Sequence, residues 1–189
     1  TMEEEFWQYS KNIYAKSSKS FLWLQDERSL DVNLLLFCYW LGEKGKRLTV
    51  DEISRCCKNV EFLRREFIIP LRNSRLFLKN ADLPIDYKKL KQAILTVELE
   101  GERTEQRILI SSLAKASIEC QMTDHEDITI MHHNILNYFR YEKVVLDEAV
   151  KSTLNEIALS LFPYITREVL YKSFLQHSAD QNDSRNMRQ

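Results

Sequence analysis

The longest apolar run of the chain lies within residues 30–41, where two short polar residues, Asp31 and Asn33, precede eight consecutive apolar positions. A helix this apolar has no polar face to present to water, so the pattern predicts a helix at the buried centre of the fold. Asp31 is predicted to cap that helix, because its carboxylate can accept the free amide hydrogens of the first turn. Capping does not explain Asn33. It is either a buried amide satisfied by its neighbours or part of a functional polar pocket.

Apolar residues recur at helical spacing along most of the remaining chain. Before the central helix, the pattern predicts an amphipathic helix over residues 3–16, which the serine pair at 17–18 ends, and then a short second helix. Gly42 and Gly45 follow the central run and are expected to end that helix, since glycine is the usual residue just after a helix.

The middle of the chain carries three further signals. Thr49 and Glu52 have the side chains and the spacing of a capping box, which predicts that a helix begins there. Pro70 interrupts the apolar pattern of residues 59–79, so we expect a kink or two abutting helices. Helical spacing then runs from about residue 84 to 121 with a single glycine inside it, which predicts the longest helix of the protein.

Three more helices are predicted near the C-terminus, over residues 127–141, 144–162 and 166–176. The last residues are polar, without an apolar period, and cannot bury enough surface to offset their ordering entropy. We therefore expect an all-α, compact multi-helix bundle of about eight to nine helices with its buried central helix near 31–42. Its expected parts are a helical core (1–122), a C-terminal helical extension packed on that core (123–177) and a disordered tail (178–189).

Composition agrees with an all-α fold, because the chain has only three Gly and three Pro for the turns that a many-stranded sheet would need. No run approaches the length of about 20 apolar residues that a transmembrane helix requires, so we expect no membrane association. The four cysteines form no C-x-x-C pair, which favours buried, reduced thiols and a cytoplasmic location. The cysteines are Cys38, Cys56, Cys57 and Cys120.

Charge is segregated along a chain whose net charge is only −1. Residues 44–91 hold thirteen basic and six acidic residues, whereas residues 92–168 hold seven basic and thirteen acidic ones. Either the basic stripe pairs with the acidic one inside the monomer, or it is a binding site for phosphate, nucleic acid or an acidic partner. The candidate binding residues are Arg64, Arg65, Arg72, Arg75 and Lys79.

Candidate chemistry is limited to acidic side chains. A carboxylate-rich stretch lies on one face of the helix predicted after residue 84, and it would form a polar pocket if it met the entrance of the central helix. The candidate pocket residues are Asp26, Asp31, Asn33, Glu98, Glu102 and Glu105. Such a set would suit acid–base work or a cation. The sequence contains no recognised catalytic motif or metal-ligand spacing, so we assign no catalytic residue, no metal and no cofactor. The histidines at 125, 132 and 133 are interpreted as surface or capping residues.

Four blocks of sequence carry a resemblance to a known family. They are the phrase at 6–10 with Tyr14, the phrases at 24–26 and 30–41, the residues at 65–66 with 70–72, and the acidic segment 98–106. Together they resemble an uncharacterised proteobacterial family of unknown function with an L-D-V-N-L-L-L-F-C signature. The resemblance covers about residues 5–113 and implies a small helical protein of the bacterial cytosol. It implies no activity and no catalytic residue.

These observations favour a non-enzymatic helical protein of the bacterial cytoplasm that works by binding, as an adaptor or regulatory component, with another protein as partner. One alternative is a nucleic-acid-binding accessory protein that uses the basic segment 44–91. The other is an enzyme or metal site built on Asp31 and the acids at 98–105. The sequence does not indicate the oligomeric state.

Overall fold

A computed structural model describes residues 1–119 and 127–175 of the chain. Its described residues are helices joined by short connections, which confirms the predicted all-α bundle. The helices are α1 (Met2–Arg28), α2 (Val32–Glu43), α3 (Val50–Leu63), α4 (Ile69–Asn80), α5 (Lys88–Ser111), α6 (Lys115–Ile118), α7 (Asp127–Glu142) and α8 (Glu148–Leu161), with a π-helical turn at Arg64–Ile68. A further helical segment spans 167–175.

The central helix of the bundle is α2, as predicted. Ten of its twelve residues are buried, and it packs against α1, α5 and α7. Asp31 is its N-cap, and the carboxylate accepts a hydrogen bond from the amide of Asn33. Phe6 of α1 contacts the rings of Phe37 and Trp40, so aromatic packing joins α1 to α2.

The N-terminal helix is longer than expected. The predicted break at residues 17–18 is a kink inside the continuous helix α1, where Ser17 has non-helical backbone angles. The left-handed residue Ser29 ends α1, and its amide bonds to Leu24 O. The prediction that α5 is the longest helix is wrong, because α1 has 27 residues and α5 has 24. The apolar period beyond residue 111 continues in the separate short helix α6.

Two buried asparagines of α7 hold the connection between α2 and α3. The Asn134 side-chain amide donates to Cys38 O and Lys46 O, and its oxygen accepts from the amide of Leu48. Asn137 donates to Leu48 O. The next residue, Thr49, then begins α3 with the predicted capping box. These bonds satisfy backbone groups that would otherwise be buried without partners.

Gly42 does not end α2 as expected. It is a buried residue of the helix at its crossing with α7. A β-carbon at this position would lie 2.7 Å from Met131 Cα and 2.8 Å from Met131 N. The absence of a side chain therefore allows the two helices to approach each other. Gly45, with φ of 78°, is the residue that turns the chain after the helix.

His132 is buried, and the interpretation of this residue as a surface or capping histidine is wrong. Its ring stacks on Phe174 with centroids 4.2 Å apart, and Nδ1 lies 2.7 Å from Ser173 Oγ. Because the Ser173 hydroxyl donates to Leu170 O, Nδ1 must carry the proton that joins the two side chains. Burial lowers the pKa of His132 to about 3. His125 lies outside the described residues.

The C-terminal helices are packed on the rest of the bundle. α7 lies along α2 and α3, and α8 lies along α1. The expected boundary at 122/123 and the expected tail 178–189 both lie outside the described residues. Within the described residues, no helix combines the length and the apolar character that crossing a membrane requires.

Gly42→Ala is expected to lower the free energy of unfolding by about 3 kcal/mol, because the new methyl group would press on the backbone of α7. Urea unfolding monitored by circular dichroism measures the loss. Gly101→Ala is the matched control, because a methyl group there would meet only side-chain atoms of Phe67 and Ile68 at 3.2–3.3 Å. A Gly42→Ala protein as stable as the Gly101→Ala protein would contradict the close crossing of α2 and α7.

His132→Gln is expected to reduce the acid sensitivity of the protein. The pKa of His132 is lower in the folded state than in the unfolded chain, so the unfolded chain takes up a proton first as the pH falls below about 6.5. This linkage costs the wild type about 2 kcal/mol of stability between pH 7 and pH 5. Urea unfolding at the two pH values measures it. Equal losses in the wild type and the variant would contradict the assignment.

Candidate functional site

A buried polar cluster lies at the N-terminal end of α2. Its members come from α1, α2, α5 and the π-helical turn, and they are Ser10, Asp31, Asn33, Arg64, Glu105 and Gln106. The Asn33 side chain is at its centre: its amide donates to Glu105 Oε2 at 2.8 Å, and its oxygen accepts from Gln106 Nε2 at 3.0 Å. Gln106 also donates to Ser10 Oγ. Asn33 is therefore a buried amide satisfied by its neighbours, and it also helps to build a polar site.

Arg64 is the only cation of this cluster. Its Nε lies 3.1 Å from Asp31 Oδ2 and 3.8 Å from Glu105 Oε1, so one guanidinium faces two buried carboxyl groups. Asp31 also donates its backbone amide to the hydroxyl of Tyr138 on α7. The cluster thereby connects four helices of the bundle to the turn that carries Arg64.

The π-helical form of the turn that carries Arg64 is explained by Pro70, which follows the turn in the sequence. In a regular helix, Pro70 would leave one carbonyl unpaired and its ring would clash with the carbonyl four residues earlier. The chain widens before this residue: the amide of Ile69 bonds to Arg64 O, five residues back. Pro70 then lies in the first turn of α4, where proline is tolerated. The expected interruption at Pro70 is thus two helices that abut at a π turn.

The surroundings of Glu105 favour its neutral form. Burial, the charge of Asp31 and a hydrogen bond to the Asp31 side chain raise the pKa of Glu105 well above its ordinary value. The negative charges of Asp31 and Glu105 in turn raise the pKa of Arg64, although burial opposes this. The arrangement favours a neutral Glu105 and a permanent positive charge on Arg64.

A second ion cluster lies two turns along α5. Glu98 is buried and accepts two hydrogen bonds from Arg75, at 2.6 and 3.1 Å, in a fork. Arg72 lies 3.5 Å from Glu98 and 3.8 Å from Glu102. Burial raises the pKa of Glu102 to about 7, and the nearby arginine only partly offsets it. Arg72 and Arg75 are thus paired with acids of the same chain. This agrees with the first alternative for the basic stripe, in which it pairs with the acidic stripe inside the monomer.

The other candidate residues from the sequence lie apart from both clusters. Arg65 is more than half exposed and pairs with Glu61 and Glu66. Lys79 is exposed near the end of α4, and Asp26 is exposed near the end of α1. The structure therefore brings together Asp31, Asn33 and Glu105, places Glu98 and Glu102 in the neighbouring ion cluster, and leaves Asp26 outside.

An open cleft adjoins the buried cluster. Its volume is about 270 Å³, and its walls come from α2, α3, the π-helical turn and α7. The polar lining residues are Asp31, Glu61, Arg64, Tyr138, Tyr141 and Glu142, and the apolar ones are Leu34, Cys57 and Val60.

Sequence reasoning did not identify Tyr138, Glu142 or Gln106 as site residues. Tyr138 and Glu142 are more than 100 positions from Asp31 in the chain, so local spacing cannot connect them with the cap. The available signal was the series of polar groups on α7, where Asn134, Asn137 and Tyr138 interrupt an apolar face. Polar atoms on a buried face need partners, and that requirement points to a second element.

Within residues 1–119 and 127–175, no group of three or more His, Cys, Asp or Glu side chains is placed to hold a metal ion. The geometry instead provides a buried acid pair with one arginine, beside a cleft lined by further carboxylates and tyrosines.

The family model described as "Protein of unknown function (DUF2390)" matches residues 5–109, and the chain belongs to this family. The match covers α1 to most of α5, including every member of the buried polar cluster. No curated protein and no solved structure matches the chain.

Arg64→Leu is expected to lower the free energy of unfolding by about 3 kcal/mol at neutral pH, because it leaves the two buried carboxyl groups without a cation. The loss should grow from pH 5 to pH 8. The charge of Arg64 opposes the raised pKa of Glu105, so its removal raises that pKa further in the folded state and favours unfolding more strongly as the pH rises. Chemical denaturation at the two pH values measures the effect.

The double variant Arg64→Leu, Glu105→Gln should recover part of that stability, because glutamine cannot ionise as the pH rises while the side-chain oxygen facing Asn33 is kept. Arg65→Leu is the matched control, since its ion pairs are exposed, and it should change stability by less than about 1 kcal/mol. A control as unstable as the Arg64 variant would contradict the special role of Arg64.

Proposed function

We propose that this protein is a non-enzymatic binding protein, an adaptor or regulatory component of the bacterial cytoplasm, and that its partner is another protein. The observation that carries the proposal is the hairpin formed by the second part of α4 and the first part of α5. Residues 73–97, here called the arm, contain Leu78 as their only fully buried residue.

The arm exposes large apolar side chains in the loop and on both helices. Their exposed fractions lie between 38% and 75%, and the residues are Leu76, Phe77, Leu83, Ile85, Leu90 and Val97. On α5, Leu90, Ile94 and Val97 share one face by the helical repeat. A cluster of exposed apolar side chains is typical of a surface that another molecule covers.

Basic residues flank the apolar surface of the arm. Lys79, Lys88, Lys89 and Lys91 form no ion pair with a described residue, and only Asp82 and Asp86 oppose them there. An apolar face between positive charges complements a helix whose apolar stripe is flanked by acidic residues. We therefore propose an acidic, amphipathic helix as the segment that the arm binds.

The cytoplasmic location is supported by the thiols. Cys38, Cys56 and Cys57 are buried and free, as is typical of proteins in a reducing compartment. The bacterial origin is supported by the resemblance of residues 5–113 to a proteobacterial family.

The test is an affinity pull-down from native bacterial lysate at low ionic strength and at about 0.3 M salt. We expect the wild type to retain a protein partner that the double variant Phe77→Asp, Ile85→Asp loses. Both side chains are more than 60% exposed, so the variant should fold. Val145→Asp, Tyr164→Asp is the matched control, because these residues are 73% and 97% exposed and lie outside the arm.

A partner lost equally from both double variants would contradict the proposal. Recovery of nucleic acid that is released at the higher salt concentration would favour the nucleic-acid alternative instead. If a protein partner is recovered, a synthetic peptide from that partner should bind the wild type and should fail to bind the double variant Phe77→Asp, Ile85→Asp.

A further inference from the structure

We propose that the cleft beside the buried polar cluster binds a small organic cation, an ammonium or guanidinium group on a short apolar chain. This site is separate from the arm and does not depend on the proposed protein partner. The cleft volume of about 270 Å³ lies near the lower end of the usual range for ligand pockets, about 300–1,000 Å³, so the ligand must be small.

The charge of the cleft is unbalanced. Three carboxylates and one guanidinium line it, and Arg64 is already placed between Asp31 and the buried Glu105. The remaining carboxylates are Glu61 and Glu142. Glu61 has one ion-pair partner, Arg65, in a pair that is more than half exposed. Glu142 has no hydrogen bond or ion pair with a described residue, and the charge of Arg64 acts on it without forming an ion pair.

An oxygen of the lining residue Asp31 has no hydrogen-bond donor. Asp31 is 4% exposed and lines the cleft, yet its Oδ2 accepts no hydrogen bond from any described N–H or hydroxyl group. Arg64 Nε lies 3.1 Å away but is not aligned for a hydrogen bond. A carboxylate oxygen has room for two donors, so the ion pair with Arg64 still leaves Oδ2 an acceptor position for a ligand N–H.

The rest of the lining suits the apolar part of such a ligand. Leu34 and Val60 contribute aliphatic walls, and Tyr138 and Tyr141 contribute aromatic ones. Aromatic rings attract ammonium and guanidinium groups through their π faces, which adds to the attraction of the carboxylates. The cleft therefore combines negative charge, aromatic surface and an apolar wall in a volume of about 270 Å³.

The test is calorimetric titration of the full chain with four probes of equal chain length: n-butylammonium, n-butylguanidinium, n-butanol and n-butyrate. We expect at least one of the two cations to bind, with weaker binding at about 0.15 M salt than at low ionic strength. The uncharged alcohol and the anion should not bind. A rise of the melting temperature with the same cation is the second measurement.

Glu61→Gln and Glu142→Gln should each weaken cation binding by about 5-fold, as expected for a partly exposed charge pair. Both residues are exposed, so the variants should keep the wild-type melting temperature without ligand. Glu148→Gln is the matched control, because its side chain is 96% exposed at the start of α8, away from the cleft. It should bind the cation as the wild type does.

Three results would overturn the proposal. The first is the absence of cation binding at low ionic strength, and the second is cation binding that neither cleft variant weakens. The third is stronger binding of n-butyrate than of both cations, which would show that Arg64 makes the cleft an anion site.

Discussion

The positive charge of Arg64 is the constraint on which the interior of this protein depends. Asp31 and Glu105 are both nearly inaccessible to water, and an isolated carboxylate in that position would cost several kcal/mol. One guanidinium beside both makes the burial possible, and the raised pKa of Glu105 reduces the charge that remains. Asp31 is also the cap of α2 and a partner of Tyr138, so the same contacts fix the central helix against α5 and α7.

Much of the fold could be predicted because its signals are local. The apolar run at 34–41, the cap at Asp31 and the capping box at Thr49 each depend on residues within one or two turns, and the structure has all three. The expectation that Gly42 ends α2 is wrong. Glycine after an apolar run usually ends a helix, whereas here the absence of a side chain allows α7 to pack closely against α2. His132 was misinterpreted because its acidic and histidine neighbours in sequence suggested a surface. Its burial depends on Ser173 and Phe174, some 40 residues away.

The candidate site could be predicted only in part, because the pairing of its residues depends on parts of the chain that are distant in sequence. Helical spacing placed Glu98, Glu102 and Glu105 on one face, and their charge required basic partners. Which acid met which arginine depended on the π turn, since one extra residue in the turn rotates Arg64 relative to Arg72 and Arg75. No local signal fixed that rotation. The proline at 70 indicated an interruption without indicating its form, and Tyr138 and Glu142 came from a helix with no sequence link to the cap.

The contact between α2 and α7 joins the part of the chain that the family model matches to a part that it does not match. Similarity to the family ends at residue 109, whereas the helix that covers one side of α2 begins at Asp127. A fragment cut at the limit of the family match would uncover the side of α2 that packs on α7. It would also release the Leu48 amide and the Lys46 and Leu48 carbonyls from the asparagines that hold them. In this chain the residues that the family model matches therefore do not enclose the central helix by themselves.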